Sequence, residues 1–383
     1  MKLDPAEIKA LIENGELRAV TLDTSVFDRK GIRLEHDLLP RLEQFKASPV
    51  LVIFSDVVQA EVVRHLSNNL AETKASAVLA LNKLARTWNA DATIGDKAIS
   101  TLTGGIDPSE MAKRSWCEYV ELVGAEILSA SSVPASDLFS RYEQVLPPFE
   151  DKKDKKHEFP DAIALLTLEA WAIENNAKVL AVSHDVGWQK FCDDSHHLVM
   201  MQDLSQALAL FQNEANNQQV RAIARTIVPD DRLKLKSSIE DALKRQAWKI
   251  SFDIEADSQF SVEGEAHEVT FKELDEDMLR DVDNFSLVEA SPTGDHLVIS
   301  VTISVTFAVE CSFSFSHWDG VDKEYIGMGH GSATRDETVD VEVLITATKE
   351  ERGFEIDEVD VLETSATIEF FGVEPDWMNE GDD

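Results

Sequence analysis

Two domains are predicted: an α/β domain over residues 1–228, built on a parallel sheet covered on both faces and carrying a helical insertion, and an α+β domain rich in antiparallel strands over residues 229–383. Three observations carry this expectation. Apolar runs of strand character alternate with helical periodicities through the first part. Alternation with a period of two dominates the second. The charge also changes between them: of a net −36, residues 1–228 hold 24 Lys/Arg against 33 Asp/Glu, whereas residues 229–383 hold 12 against 39. Such asymmetry marks a distinct acidic domain, since an acidity suited to high salt would spread over the whole chain.

The elements follow in order. LDPAEIKALIENGELR has helical spacing and ends at a Gly-containing turn, and LRAVTLDTSVF after it reads as a first strand. An Arg/Leu-rich helix is expected near 34–47, a second strand in PVLVIFSD, and a helix from Val57 capped by Ser55 or Asp56. Residues 71–146 form the insertion, with helices in AETKASAVLALNKLARTW, in DPSEMAKRSWCEYVELVGAEIL after Asp107, and in PASDLFSRYEQVL. PPFEDKKDKKHEFP reads as a loop leading into the helix DAIALLTLEAWAIENN, and the strand KVLAVSHD follows it. HLVMMQDLSQALALF adds a strand and a helix, and NEANNQQVRAI is polar and helical in pattern. Beyond Val228, one amphipathic helix, DDRLKLKSSIEDALKRQAW, precedes the β-type runs WKISFDIEA, HLVISVTISVTFAVECSFSFSHW, TVDVEVLITATKE and FEIDEVDVLETSATIEFFGV, and the tail EPDWMNEGDD is expected to fray.

Composition narrows the function. No run of 18 uncharged apolar residues is present and the N-terminus lacks a secretory pattern, so no membrane association and a cytoplasmic location are expected. Cys117, Cys192 and Cys311 form no CxxC pair and read as reduced structural thiols. An acidity of −27 in the second domain disfavours coating of nucleic acid by that half. It suits instead a basic protein partner, or a shield over a groove in the first domain.

The chemistry is expected at four acids. Asp23 ends the strand AVTLDTSVF and Asp185 ends VLAVSHDVGW, so both should project at the carboxyl edge of a parallel sheet, where ligands collect in open α/β folds. Glu61 lies in the first turns of the helix after the second strand, and Asp161 in the first turn of the helix before Asp185's strand. Unit charges about 5 Å apart repel by roughly 3 kcal/mol per pair at an effective dielectric near 20. A cluster of this kind is therefore favourable only around divalent cations, and hard oxygen ligands with open water positions suit Mg²⁺ or Mn²⁺.

At these residues the sequence resembles the PIN-domain family, in a larger subgroup with a helical insertion and a C-terminal extension. The resemblance rests on LDTSVF at Asp23, Thr24 and Ser25, SDVVQAEVVRHL at Glu61, HEFPDAIALLTL at Asp161, and VSHDVGW at Ser183 and Asp185, and spans about residues 17–205. It implies a Rossmann-like parallel sheet, a Mg²⁺ or Mn²⁺ site formed by the four acids, and ribonuclease activity. By the same resemblance, Ser25 supports Asp23 or a metal-bound water. Lys152, Lys153, Lys155 and Lys156 precede the Asp161 helix and are candidates for holding the phosphate backbone, with His184 as a further substrate contact. Glu158 is a candidate fifth acid or a stabiliser of the helix start. A zinc site at His196 and His197 lacks a second ligand pair, and Trp116, Trp171 and Trp188 read as core.

The expected function is thus a metal-dependent endoribonuclease hydrolysing RNA phosphodiesters, serving as a toxin or in RNA processing or defence. Two rivals share the fold: a non-catalytic binding or scaffolding protein, and a structure-specific DNA nuclease.

Overall fold

The computed structural model describes residues 3–29, 33–35, 37–89, 91, 93–150, 158–212, 220, 229–279, 281, 284–291, 293–319, 324–350 and 353–379. They divide into two compact units, Met1–Phe211 and Gln212–Asp383. The division precedes the boundary expected at 228/229. Val220 is 2% exposed within the second unit's core, and Gln212 Nε2 donates to Val288 O at 3.1 Å, so these two residues make contacts in the second unit. Most of the expected NEANNQQVRAI helix lies outside the described residues.

The first unit opens with α1 (Pro5–Glu13), which starts where it does because Asp4 and Glu7 form a reciprocal capping box and Pro5 needs no hydrogen-bond acceptor at the first turn. After it come β1 (Leu17–Leu22), α2 (Thr24–Arg29), a 3₁₀ helix (Leu39–Ala47), β2 (Leu51–Ser55), α3 (Asp56–Thr87), α4 (Thr93–Thr103), α5 (Pro108–Val123), β3 (Glu126–Leu128) and α6 (Ala135–Gln144). The unit ends with α7 (Phe159–Glu174), β4 (Lys178–Val182), α8 (Val186–Asp194), β5 (Leu198–Met201) and α9 (Leu204–Leu210). The five strands form one sheet in the order β3-β2-β1-β4-β5, and every pairing is parallel. The chain winds outward from β1 to one side through β2 and β3, then returns to the other through β4 and β5. The switch point therefore lies between the carboxyl ends of β1 and β4, where an open sheet leaves a crevice.

Three expectations for this unit change. Residues 71–87 do not begin an inserted helix but continue α3, whose 32 residues contain neither Gly nor Pro and so offer no break. Within the insertion, Glu126–Leu128 is the edge strand β3, since Gly124 takes a left-handed φ of 66° and closes α5 before it. The Arg/Leu-rich segment is a 3₁₀ helix beginning beside Pro40.

The second unit begins with α10 (Pro229–Arg245), followed by β6 (Ile250–Ala256), β7 (Ser261–Leu274), β8 (Phe285–Ala290), β9 (His296–Asp319), β10 (Glu324–Glu350), β11 (Gly353–Val361), β12 (Thr364–Phe370) and α11 (Asp376–Asn379). An antiparallel sheet runs β11-β10-β9-β7, with β8 also paired to β9. Val301, Ile303, Val305, Phe307, Val309, Cys311, Phe313 and Phe315 place the apolar face of β9 in one continuous core. Sequence reading overlooked β7 and β8, because in SVEGEAHEVTFKEL the acids obscure the short apolar series. It also joined β11 to β12, although β12 leaves the antiparallel sheet and pairs in parallel with β6. The tail was expected to fray, but its described part includes α11, where Trp377 Nε1 donates to Met328 O at 2.7 Å.

The three cysteines are free, with Cys192 and Cys311 buried and Cys117 exposed. No helix among the described residues is long and apolar enough to cross a membrane.

Gly264 of β7 is needed for close approach: a Cβ there would meet Ile254 Cγ2 at 2.4 Å and Phe313 Cδ1 at 3.3 Å. Gly264→Ala should therefore destabilise the second unit by about 1–3 kcal/mol, the usual range for overpacking. Chemical denaturation should show Ile254→Ala in the same chain recovering part of that loss. Simple additivity of the two substitutions would refute the contact.

Candidate active site

The site is built from the carboxyl ends of β1 and β4. Asp23 follows β1 directly, and its N–H donates to Val182 O at 2.9 Å, which ties the end of β1 to the end of β4. Asp23 as a whole is 4% exposed. One oxygen, Oδ2, accepts from Ser25 Oγ at 2.5 Å and from Ser183 Oγ at 2.7 Å. Each serine in turn accepts a backbone N–H from the turn after β4: Ser25 from His184 at 3.2 Å, and Ser183 from Asp185 at 2.9 Å. Two hydroxyls thus lock a buried acid to the loop that carries a second one.

The remaining acids come from helices that begin at the same edge. Ser55 caps α3 by accepting from Val57 N, which settles the cap left open between Ser55 and Asp56. Glu61, farther along α3, accepts from Thr24 Oγ1 at 3.1 Å and faces Arg64 Nη2 at 3.4 Å. Asp161 lies in the first turn of α7, where an acid is favoured by the helix dipole, and its Oδ1 accepts from Trp188 Nε1 at 2.9 Å. Asp185 caps α8, its Oδ1 accepting from Trp188 N at 2.9 Å.

The four acids lie near enough for their charges to act on one another. The Asp161 carboxyl is pushed up to about 7, first by burial and then by the charges of Asp23, Asp185 and Glu61, against the lowering effect of the Trp188 hydrogen bond. Asp23 is also raised, by burial above all and further by Asp185, although the serine hydroxyls oppose this. As the side chains stand, no three His, Cys, Asp or Glu groups among the described residues enclose a metal position. Asp23 is turned to two serines, and Asp161 and Asp185 each direct one oxygen to Trp188. Four hard carboxylates, one of them raised to about 7 by burial first and by the other three second, nevertheless fit the donor chemistry of Mg²⁺ or Mn²⁺.

Other expected site residues fall differently. Thr24, Ser25 and Ser183 are placed against the acids, whereas Glu158 Oε2 accepts from Glu150 N at 2.9 Å. His184 contributes its backbone N–H to Ser25. Lys152, Lys153, Lys155 and Lys156 lie outside the described residues.

Sequence reading missed two features. Trp188, assigned only to the core, is 0% exposed yet donates to two of the acids. Its position three residues after a cap was the available signal. Arg64, His65 and Asp28 form a chain beside Glu61, with Arg64 Nη2 3.2 Å from His65 Nε2 and His65 Nδ1 2.9 Å from Asp28 Oδ1. Because a guanidinium only donates, His65 Nε2 accepts and Nδ1 carries the proton. The spacing of Glu61 and Arg64 on one helix face was the signal here.

The raised Asp161 makes the metal-free fold pH-sensitive. Its carboxyl binds a proton more tightly in the folded chain, at about 7, than at its ordinary value of 3.8, so stability is fully present below the lower value and is lost as pH rises through the upper. Thermal unfolding in excess EDTA should accordingly show the first unit melting higher at pH 6 than at pH 8. Asp161→Asn should flatten that dependence, and an unchanged slope in the variant would show that Asp161 is not the group behind it.

Residues 20–188 match the family described as PIN domain. No curated protein matches the sequence. Among solved structures, the intermembrane space region of chloroplast protein ARC6 is 14% identical over 43% of this chain and 99% of its own, at a TM-score of 0.10, too low to relate the folds. The family match runs from within β1 to the first turn of α8 and contains Asp23, Glu61, Asp161 and Asp185, and residues 20–188 of this chain are accordingly a PIN-like domain.

Proposed function

We propose that the first unit is a metal-dependent endoribonuclease that hydrolyses RNA phosphodiesters with Mg²⁺ or Mn²⁺ held by Asp23, Glu61, Asp161 and Asp185. The observation that supports this best is the Asp161 carboxyl, raised to about 7 by burial and by three other acids from three other segments. A packed core has no use for such repulsion, and a bound cation removes it. The PIN-like domain supports nuclease chemistry, and the resemblance of its motifs points to RNA as the substrate.

When bound, the cation lowers the pKa of the attacking water and offsets charge on the leaving oxygen. The chain supplies the rest. Ser25 and Ser183 hold Asp23 by one oxygen, and the N–H groups of His184 and Asp185 fix those hydroxyls in turn. Asp161 would hold the cation as its carboxylate, beside Asp23, Glu61 and Asp185. On this reading the Lys152, Lys153, Lys155 and Lys156 series draws the phosphate backbone toward the acids.

Asp23→Asn and Asp161→Asn should each lower turnover of single-stranded RNA by at least about 100-fold, the scale for losing one electrostatic group from a site. Both variants should stay folded, since each removes a repelling charge. Excess EDTA should abolish cleavage and Mn²⁺ restore it. Turnover that survives EDTA, or that favours flap DNA over RNA and RNA hairpins, would defeat the proposal.

Replacing the four lysines together should weaken RNA binding and flatten its salt dependence. Each lost contact should reduce the slope by about 0.7 for a single strand, with Mn²⁺ affinity unchanged. An unaltered slope would remove this segment from the binding surface.

A further inference from the structure

Trp188 is the third residue of α8 and is wholly enclosed. A buried indole needs a partner for its N–H, and a neutral carbonyl would serve. This one instead donates at 2.9 Å to Asp161 Oδ1, a carboxylate on α7, while the backbone N–H of the same residue donates at 2.9 Å to Asp185 Oδ1. The two acids belong to different elements and repel each other, so nothing in their own helices would keep them side by side. In each, the second oxygen, Oδ2, has no hydrogen-bond partner among the described residues. The neighbouring Gly187 lets this turn pass close to the acid, since a Cβ there would lie 2.9 Å from Asp185 Oδ1 and 3.1 Å from Pro148 Cβ.

We propose that Trp188 is a positioning residue for the cation site, its indole and backbone N–H groups each occupying one carboxylate oxygen and presenting the other oxygen of Asp161 and Asp185 to the same cation. The inference rests on the metal-dependent reading above. A donor with no freedom to turn away sets the carboxylate plane before the cation arrives, so less ordering remains to be done on binding. Trp188 itself touches neither cation nor RNA.

The test separates the indole N–H from the ring. Trp188→Phe removes the N–H and keeps an aromatic side chain and the backbone N–H. Incorporation of 3-benzothienylalanine at position 188 replaces the N–H by sulfur at nearly constant volume, so it decides the matter should the Phe variant fold poorly. Mn²⁺ affinity is measured by calorimetry on the full chain, and kcat and KM on single-stranded RNA. Both variants should bind Mn²⁺ at least about 10-fold more weakly, the usual scale for losing a hydrogen bond behind a metal ligand. The kcat should fall while KM stays within about twofold, because RNA contacts are untouched. Wild-type Mn²⁺ affinity in the benzothienyl chain would overturn the role given to Trp188. Absence of Mn²⁺ binding by the wild-type chain would instead overturn the metal-dependent reading, and with it this inference.

Discussion

The candidate site depends on keeping one carboxylate, that of Asp23, out of water at the point where β1 meets β4. A buried acid of this kind is costly unless donors surround it, and the fold supplies two hydroxyls to a single oxygen. Both hydroxyls are also acceptors for the turn after β4, so the same pair of atoms that stabilises Asp23 shapes the segment Ser183–Asp185. The parallel pairing of β1 with β4 is what makes this possible, as it brings two strand ends distant in sequence to one edge.

From that anchor the other acids follow by helix geometry. α3 leaves the end of β2 and α7 enters β4, so their first turns open on the same edge, and Thr24 and Trp188 tie Glu61 and Asp161 to the strand ends. Burial above all, and then repulsion from the other three, keeps the Asp161 carboxyl raised despite the Trp188 donor.

The second unit solves a different problem. Its β9 and β10 span 24 and 27 residues, and strands of that length expose long unpaired margins unless they are covered. β7 and β8 cover successive parts of β9, and β11 covers one end of β10, while β12 and β6 form a separate parallel pair. Alternation of Val, Ile and Phe with Ser, Thr and acids along β9 lets a strongly acidic chain keep an apolar core on one face and its charge on the other.

The sequence alone determined the order of strands and helices around the four acids, since strand runs, caps and Pro-initiated helices are local signals governed by nearby backbone hydrogen bonding. Asp23 and Asp185 could be placed at strand ends, and Glu61 and Asp161 in early helical turns, from neighbouring residues only. It also determined that the second half is acidic and β-rich. Only the tertiary structure decided that Glu126–Leu128 joins the sheet, that Glu158 turns to Glu150 N, that β12 pairs with β6, and that Trp188 donates to two carboxylates at once. Each of these depends on which distant group lies opposite. A three-residue strand or an indole N–H has no local pattern that names its partner, because the partner is supplied by the packing of other elements.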